Sequence, residues 1–171
     1  MHIELTNHCL YIEPITHPEF ISKAVFTDKI EFSTKQPDKW VDDTLQRYYS
    51  TSLKAKKYHA KIHFNIHRLT PILLTTKFGF LLFPLPKSTS KDTYWINLSK
   101  CYAFKSVEEG VSLEFTCGKE KTFSVPISVF EKQYTRALFL YDQYSKFIVA
   151  RENRNHVNNG TTIMYNMSNI N

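Results

Sequence analysis

The chain has 171 residues, 42% of them hydrophobic and 15% aromatic, with a formal net charge of +6 from 22 Lys and Arg against 16 Asp and Glu. That length suits one well-cored domain rather than two, and so much apolar and aromatic side chain excludes an intrinsically disordered chain. No run approaches the ~20 apolar residues of a membrane-crossing helix, and "MHIELTNHCL" lacks the basic and then apolar order of a secretory leader, so a soluble cytoplasmic protein with no membrane partner is expected.

Segments 9–14 (CLYIEP), 22–26 (SKAVF) and 29–33 (KIEFS) alternate or run apolar as strands do, with "TDK" as the turn between the last two. From Pro37 the period changes. Trp40, Val41, Leu45, Tyr48 and Tyr49 recur at helical spacing, with Asp42 and Asp43 early, where the helix dipole favours acids, and this predicts a helix over 38–49. The next segment has two readings. Ser52 can cap a helix running to about residue 62, yet Tyr58, Ala60, Ile62, Phe64 and Ile66 also alternate strictly with polar neighbours.

Segments 71–75, 79–83, 93–105, 111–116 and 121–126 read as five successive strands, which predicts an antiparallel sheet, with turns at "EEG" and "CGKE". Pro84, having no amide to donate, is expected to end its strand. Ser128 and Glu131 have the spacing of a capping box, and Phe130, Tyr134, Ala137, Leu138, Tyr141, Ser145 and Ile148 then share one side of a helix to about residue 150. The Asn-rich remainder carries one apolar cluster, Ile163 to Tyr165, and reads as a tail. The fold expected is therefore mixed α+β: an antiparallel β-sheet, open or partly closed into a barrel, with an N-terminal helical segment and a long C-terminal helix packed on the sheet. One domain over residues 1–151 and a tail over 152–171 complete the expectation.

The placement of charge says more than its sum. Residues 44–70 contain no acid, but they hold Arg47, Lys54, Lys56, Lys57, Lys61 and Arg68, six cations that equal the whole excess. Tyr48, Tyr49, Tyr58 and Phe64 are interleaved with them. A solvated basic face is the ordinary meaning of such a run. Cations for phosphates with rings for sugars or bases is also how a polyanion is gripped.

Catalytic patterns are missing from the sequence: there is no GxSxG, P-loop, GxGxxG or HExxH. His59, His63 and His67 are spaced by four and would share a face of one continuous helix, but neither Cys nor carboxylate accompanies them as a further metal ligand. Glu108 and Glu109 form a turn pair, and Cys9, Cys101 and Cys117 are too scattered for a metal knuckle, so they read as reduced thiols. No catalytic residue, metal or cofactor is expected, and an enzyme is the least supported class.

The stretch "LLFPLPKSTSKDTYWIN" resembles the central signature of the ComK family of competence transcription factors, a hydrophobic strand ending in Phe-Pro, a Ser/Thr-rich loop and Trp-Ile. The positions concerned are Leu82, Phe83, Pro84, Ser88, Thr89, Trp95 and Ile96. Upstream, "RYYSTSLKAKKYH" is similar to the family's Arg, aromatic pair, Ser-rich turn and basic pair, with Ser50 and Ala55 where the family places glycines. His67, Pro71 and Ile72 continue the likeness, as do Phe104, Lys105, "PIS" at 126–128, Phe130, Glu131, Gln133 and Arg136, so that it spans roughly residues 40–141.

The resemblance implies a DNA-binding activator that recognises paired AT-rich boxes in double-stranded DNA, largely through the minor groove, and turns on genes for DNA uptake. It implies a homodimer or larger oligomer at the nucleoid, contact with RNA polymerase, and an adaptor that delivers the protein for proteolysis, to whose motif "TIMYN" is partly similar. Charge, not the resemblance, picks the contact residues: Arg47, Lys54, Lys56, Lys57, Lys61 and Arg68. Two rivals stand beside this reading. Successive strands followed by one helix also suit a pleckstrin-homology-like module binding a peptide or an anionic headgroup, and a family member that has lost activation would look the same.

Overall fold

The apolar run Phe80–Pro86 does not alternate because both of its faces are covered. Phe80 and Leu82 enter one core cluster, Leu81, Phe83 and Leu85 another, on opposite sides of the same sheet. The computed structural model describes residues 2–87 and 92–167, with the side chains of the last helix described through Asn155 and at Val157. Ser88 and Thr89 of the ComK-like stretch lie outside the described residues, as do the side chains of Ile163, Met164 and Tyr165.

Among the described residues nine strands and three helices follow in order: β1 (Cys9–Pro14), β2 (Ser22–Phe26), β3 (Ile30–Ser33), α1 (Pro37–Tyr48), α2 (Leu53–Phe64), β4 (Ile72–Thr75), β5 (Phe80–Pro86), β6 (Thr93–Asn97), β7 (Cys101–Val107), β8 (Gly110–Phe115), β9 (Glu120–Phe123) and α3 (Ile127–Met167). Short 3-10 turns at Lys77–Gly79 and Leu98–Lys100 precede β5 and β7. Two antiparallel sheets result, a six-stranded one in the order β3-β2-β1-β6-β5-β4 and a three-stranded one in the order β7-β8-β9. The barrel alternative is corrected: neither sheet closes.

The five strands expected as one run are thus divided between two sheets. The expected strand over 93–105 breaks where Asn97 turns the chain, its side-chain oxygen accepting from the Ser99 amide at 3.2 Å while its Nδ2 donates to the Cys9 carbonyl at 2.9 Å. β4, β5 and β6 join β1 to β3, and β7, β8 and β9 form the second layer. Lys23 and Lys121 reach the buried Glu13 carboxylate at 3.0 and 2.9 Å, so an acid on β1 ties the two sheets together.

On one face of the large sheet, Trp40, Val41 and Leu45 of α1 pack on Ile12, Ala24, Phe26, Ile72 and Trp95. Both indoles keep partners: Trp40 Nε1 donates to the Ile3 carbonyl and Trp95 Nε1 to Asp38, each at 2.8 Å. On the other face Tyr11, Phe83, Tyr94 and Ile96 meet Val111, Leu113, Phe115 and Phe123 of the small sheet, and Phe130, Ala137 and Leu140 of α3. The arrangement is layered, with each apolar surface covered by the next.

Three local expectations change. β5 continues past Pro84, which pairs with Trp95, because β4 reaches only Leu82 and leaves that side of the strand free of a partner needing an amide. Helix α3 starts at Ile127, with the Pro126 carbonyl accepting from Val129 and Phe130, so Ser128 lies inside the first turn and is not its cap. The helix also runs to Met167 rather than stopping near 150, since extending a formed helix needs no new nucleus.

Candidate nucleic-acid interface

Within segment 52–66 the chain forms α2, Leu53–Phe64, a helix with capped ends. Ser52 Oγ accepts from the Ala55 amide at 3.0 Å, and Asp42 of α1 accepts from the Leu53 amide at 2.8 Å, so two otherwise orphaned N–H groups are satisfied. At the other end Asn65 takes φ 54°, and the Ile66 amide returns to the Ala60 carbonyl at 3.3 Å, closing the last turn. Ala60 and Ile66 are buried, whereas Tyr58 is 66% and Ile62 58% exposed, so the strand-like alternation has no buried face. Ser50, in the link from α1, has φ 53°, a backbone shape that glycine takes without strain.

Helical geometry sorts the cations. Lys54, Lys57 and Lys61 recur at intervals of three and four, all exposed, and share a stripe with Tyr58. None of the three forms an ion pair among the described residues. The neighbouring acids of α1 are engaged elsewhere: Asp38 by Trp95, Asp42 by the α2 cap and Gln46, Asp43 by Lys35 and Lys39. Lys54 and Lys57 overlook an open cleft of about 710 Å³ between the two helices.

Lys56 is separated from this stripe. It is partly buried on the flank facing α3, with Nζ 5.9 Å from the Tyr144 ring centroid, and burial lowers its pKa. His59 and His63 share that flank, their rings 4.3 Å apart, and His59 Nδ1 lies 3.3 Å from Tyr144 Oη. The His59 pKa is lowered, first by burial and then by His63 and Lys56. His67 sits beyond the Asn65 cap, its Nε2 2.6 Å from Asn65 Oδ1, so the three histidines do not share one helix. Among the described residues no group of three His, Cys, Asp or Glu is placed to hold a metal ion.

The two remaining cations flank the helix pair. Arg47 lies exposed in the last turn of α1, beside His2, whose pKa falls chiefly through burial and then through Arg47 and Lys35. Arg68 is exposed on the loop before β4, and its carbonyl accepts from Arg136 Nη1 at 2.8 Å. Arg136 therefore anchors the loop. The three thiols are free, and burial pushes that of Cys101 up to about 12. A second exposed basic and aromatic tip, Lys77 and Phe78, gave no sequence signal beyond a Gly at the start of a strand.

An open antiparallel sheet bearing a capped, acid-free basic helix defines a mixed α+β protein with a cationic face. The chain belongs to the ComK family: the family model, described as ComK protein, matches residues 2–148. Membership places it among regulators of transcription and competence, and the match reaches well outside the span of residues 40–141 that carries the resemblance. No curated protein and no solved structure matches the chain. Of the described signature positions, Leu82, Phe83, Pro84, Trp95 and Ile96 are buried, and Phe104 packs against the buried Phe130.

Proposed function

We propose that the protein is a competence-type transcription factor that binds AT-rich duplex DNA as a homodimer or larger assembly, with the Lys54, Lys57 and Lys61 stripe of α2 as its main phosphate grip and Arg47 and Arg68 at its flanks. The observation that carries this is the stripe itself: three exposed lysines, unpaired among the described residues, on a helix held at both ends. Family membership supports duplex DNA as the polyanion. A helix about 10–12 Å across does not enter a minor groove about 6 Å wide. On this reading α2 lies over the groove, and its long lysine side chains reach the phosphates on either side. Narrow A-tract grooves concentrate negative potential, which favours AT-rich sites with little base-edge contact.

The salt dependence of binding tests the assignment. If about four cations per protomer neutralise phosphates, log affinity falls against log salt with a slope of roughly −3 to −4 per protomer. Replacing Lys54, Lys57 and Lys61 together by Ala should flatten that slope by up to ~3. Lys56→Ala, on the other flank, should leave it nearly unchanged. A slope unaffected by the triple substitution would remove α2 from the interface.

A further inference from the structure

Between β4 and β5 the chain turns through Lys77, Phe78 and Gly79, and the turn is built in an unusual way. Phe78 has φ 62° and ψ 11°, a left-handed conformation, and Gly79 follows with φ 65°. The Gly79 amide closes this turn on the Thr76 carbonyl, and Phe78, inside it, takes a left-handed shape that Gly or a short polar residue such as Asn adopts readily and a bulky side chain does not. The chain follows that preference with Asn65, in the left-handed position that closes α2, and departs from it at Ser50 and Leu69. At the hairpin it places Phe instead, and the ring is 72% exposed.

Packing does not explain the choice. Leu69, another apolar residue with positive φ, has its carbonyl held by Gln133 at 2.8 Å and is less exposed, at 38%. The Phe78 ring has Lys77 beside it, Nζ 5.3 Å from its centroid. Its backbone, by contrast, is held: Asn7 Nδ2 donates to the Phe78 carbonyl at 3.5 Å, the Gly79 amide donates to Thr76 at 3.2 Å, and Tyr141 of α3 lies against Gly79. A fixed backbone thus presents an exposed apolar ring.

Two lysines stand beside the ring, and the site adjoins the link from α1 to the basic helix α2. Lys77, Lys100 and His8 line a cavity of about 560 Å³ beside the ring, with Glu4 as its one acid among the described residues. Tyr49, at the end of α1 and just before the link into α2, lines the same cavity. Exposed apolar residues flanked by cations are the means by which minor-groove proteins part adjacent base pairs and kink the duplex.

We propose that Phe78 is an apolar wedge, inserted from the minor groove between adjacent base pairs of the bound duplex, with Lys77 and Lys100 on the phosphates beside it. This rests on the duplex-binding reading above and adds what that reading lacks, a device that deforms DNA. AT-rich sites rich in TA steps unstack most easily, so the wedge selects them by deformability.

Bending measured by energy transfer between dyes at the two ends of an AT-rich duplex, alongside affinity on the same duplex, tests the wedge. The wild-type protein should bend the duplex by about 20–90°. Phe78→Asn suits the left-handed backbone and removes the ring, so it should melt no lower than wild type, lose the bend, and bind more weakly by about fivefold to a hundredfold, the range for losing one aromatic contact with bases. Phe78→Leu should retain most of the bend. An unchanged bend and affinity in Phe78→Asn, or wild-type binding to a duplex that stays straight, would overturn the wedge alone. No duplex binding by folded wild-type protein would overturn both the wedge and the reading on which it rests.

Discussion

Gln133 joins three parts of the chain with one amide. It is 1% exposed, and its Nε2 donates to the Leu69 carbonyl at 2.8 Å and to the Pro84 carbonyl at 2.9 Å, holding the loop after α2 and strand β5 against α3. Gln133→Ala would leave both carbonyls without this donor, and a buried group left unsatisfied costs about 1–3 kcal/mol. Chemical denaturation should show a loss in that range with an unchanged slope; a loss near zero would mean that water replaces the amide. Residue type was legible here and partner was not. Gln133 is one of the positions that carry the family likeness, but no rule of spacing points from it to Leu69, 64 residues away, or to Pro84. The same limit applies to the cations. Composition found all six, but Lys56 leaves the exposed set only because α3 brings Tyr144 over that flank.

At the scale of elements, the seam between α2 and α3 is built from aromatic and titratable groups. Phe64 meets Tyr144 edge-on at 5.4 Å, His59 stacks on Tyr144 at 5.7 Å, and His63 and Lys56 lie beside them. Folding lowers the pKa of His59 and of His2, so on acidification the unfolded chain takes up these protons first. The stability they contribute is present above the ordinary histidine pKa of about 6.5 and is lost as pH falls through it towards the folded values. The melting temperature should drop between pH 7.5 and 5.5, and His59→Gln should shrink that drop; a melting temperature that rises on acidification would contradict the assignment. Strand and helix existence was mostly legible, since periodicity is a local property. For 52–66 the two periods tied, and the tie was broken by Asp42 from α1 and by the Asn65 turn. How strands divide between sheets depends on a turn at Asn97 whose partner is Cys9, and that separation hides it from any window of sequence.

For the whole molecule, the strands of segment 71–126 divide between an open six-stranded sheet and a three-stranded one. The buried core residues end at Leu140 among the described residues, although α3 continues to Met167. We therefore expect truncation after Glu152 to shift the melting temperature by only a few degrees, since surface changes are usually within ~0.5 kcal/mol. A drop of ten degrees or more would mean that the end of the helix is packed against the body or a second copy. The central claim is that this layered fold presents α2 to AT-rich duplex. Its most direct test is competition gel shift of the folded protein on a fragment with two AT-rich boxes against a GC-rich fragment of equal length, at fixed salt. The account predicts that the AT-rich fragment is retained while the GC-rich one competes poorly, and that the retained complex holds two or more protomers. Equal competition by the two fragments, or no shift at low salt, would contradict it.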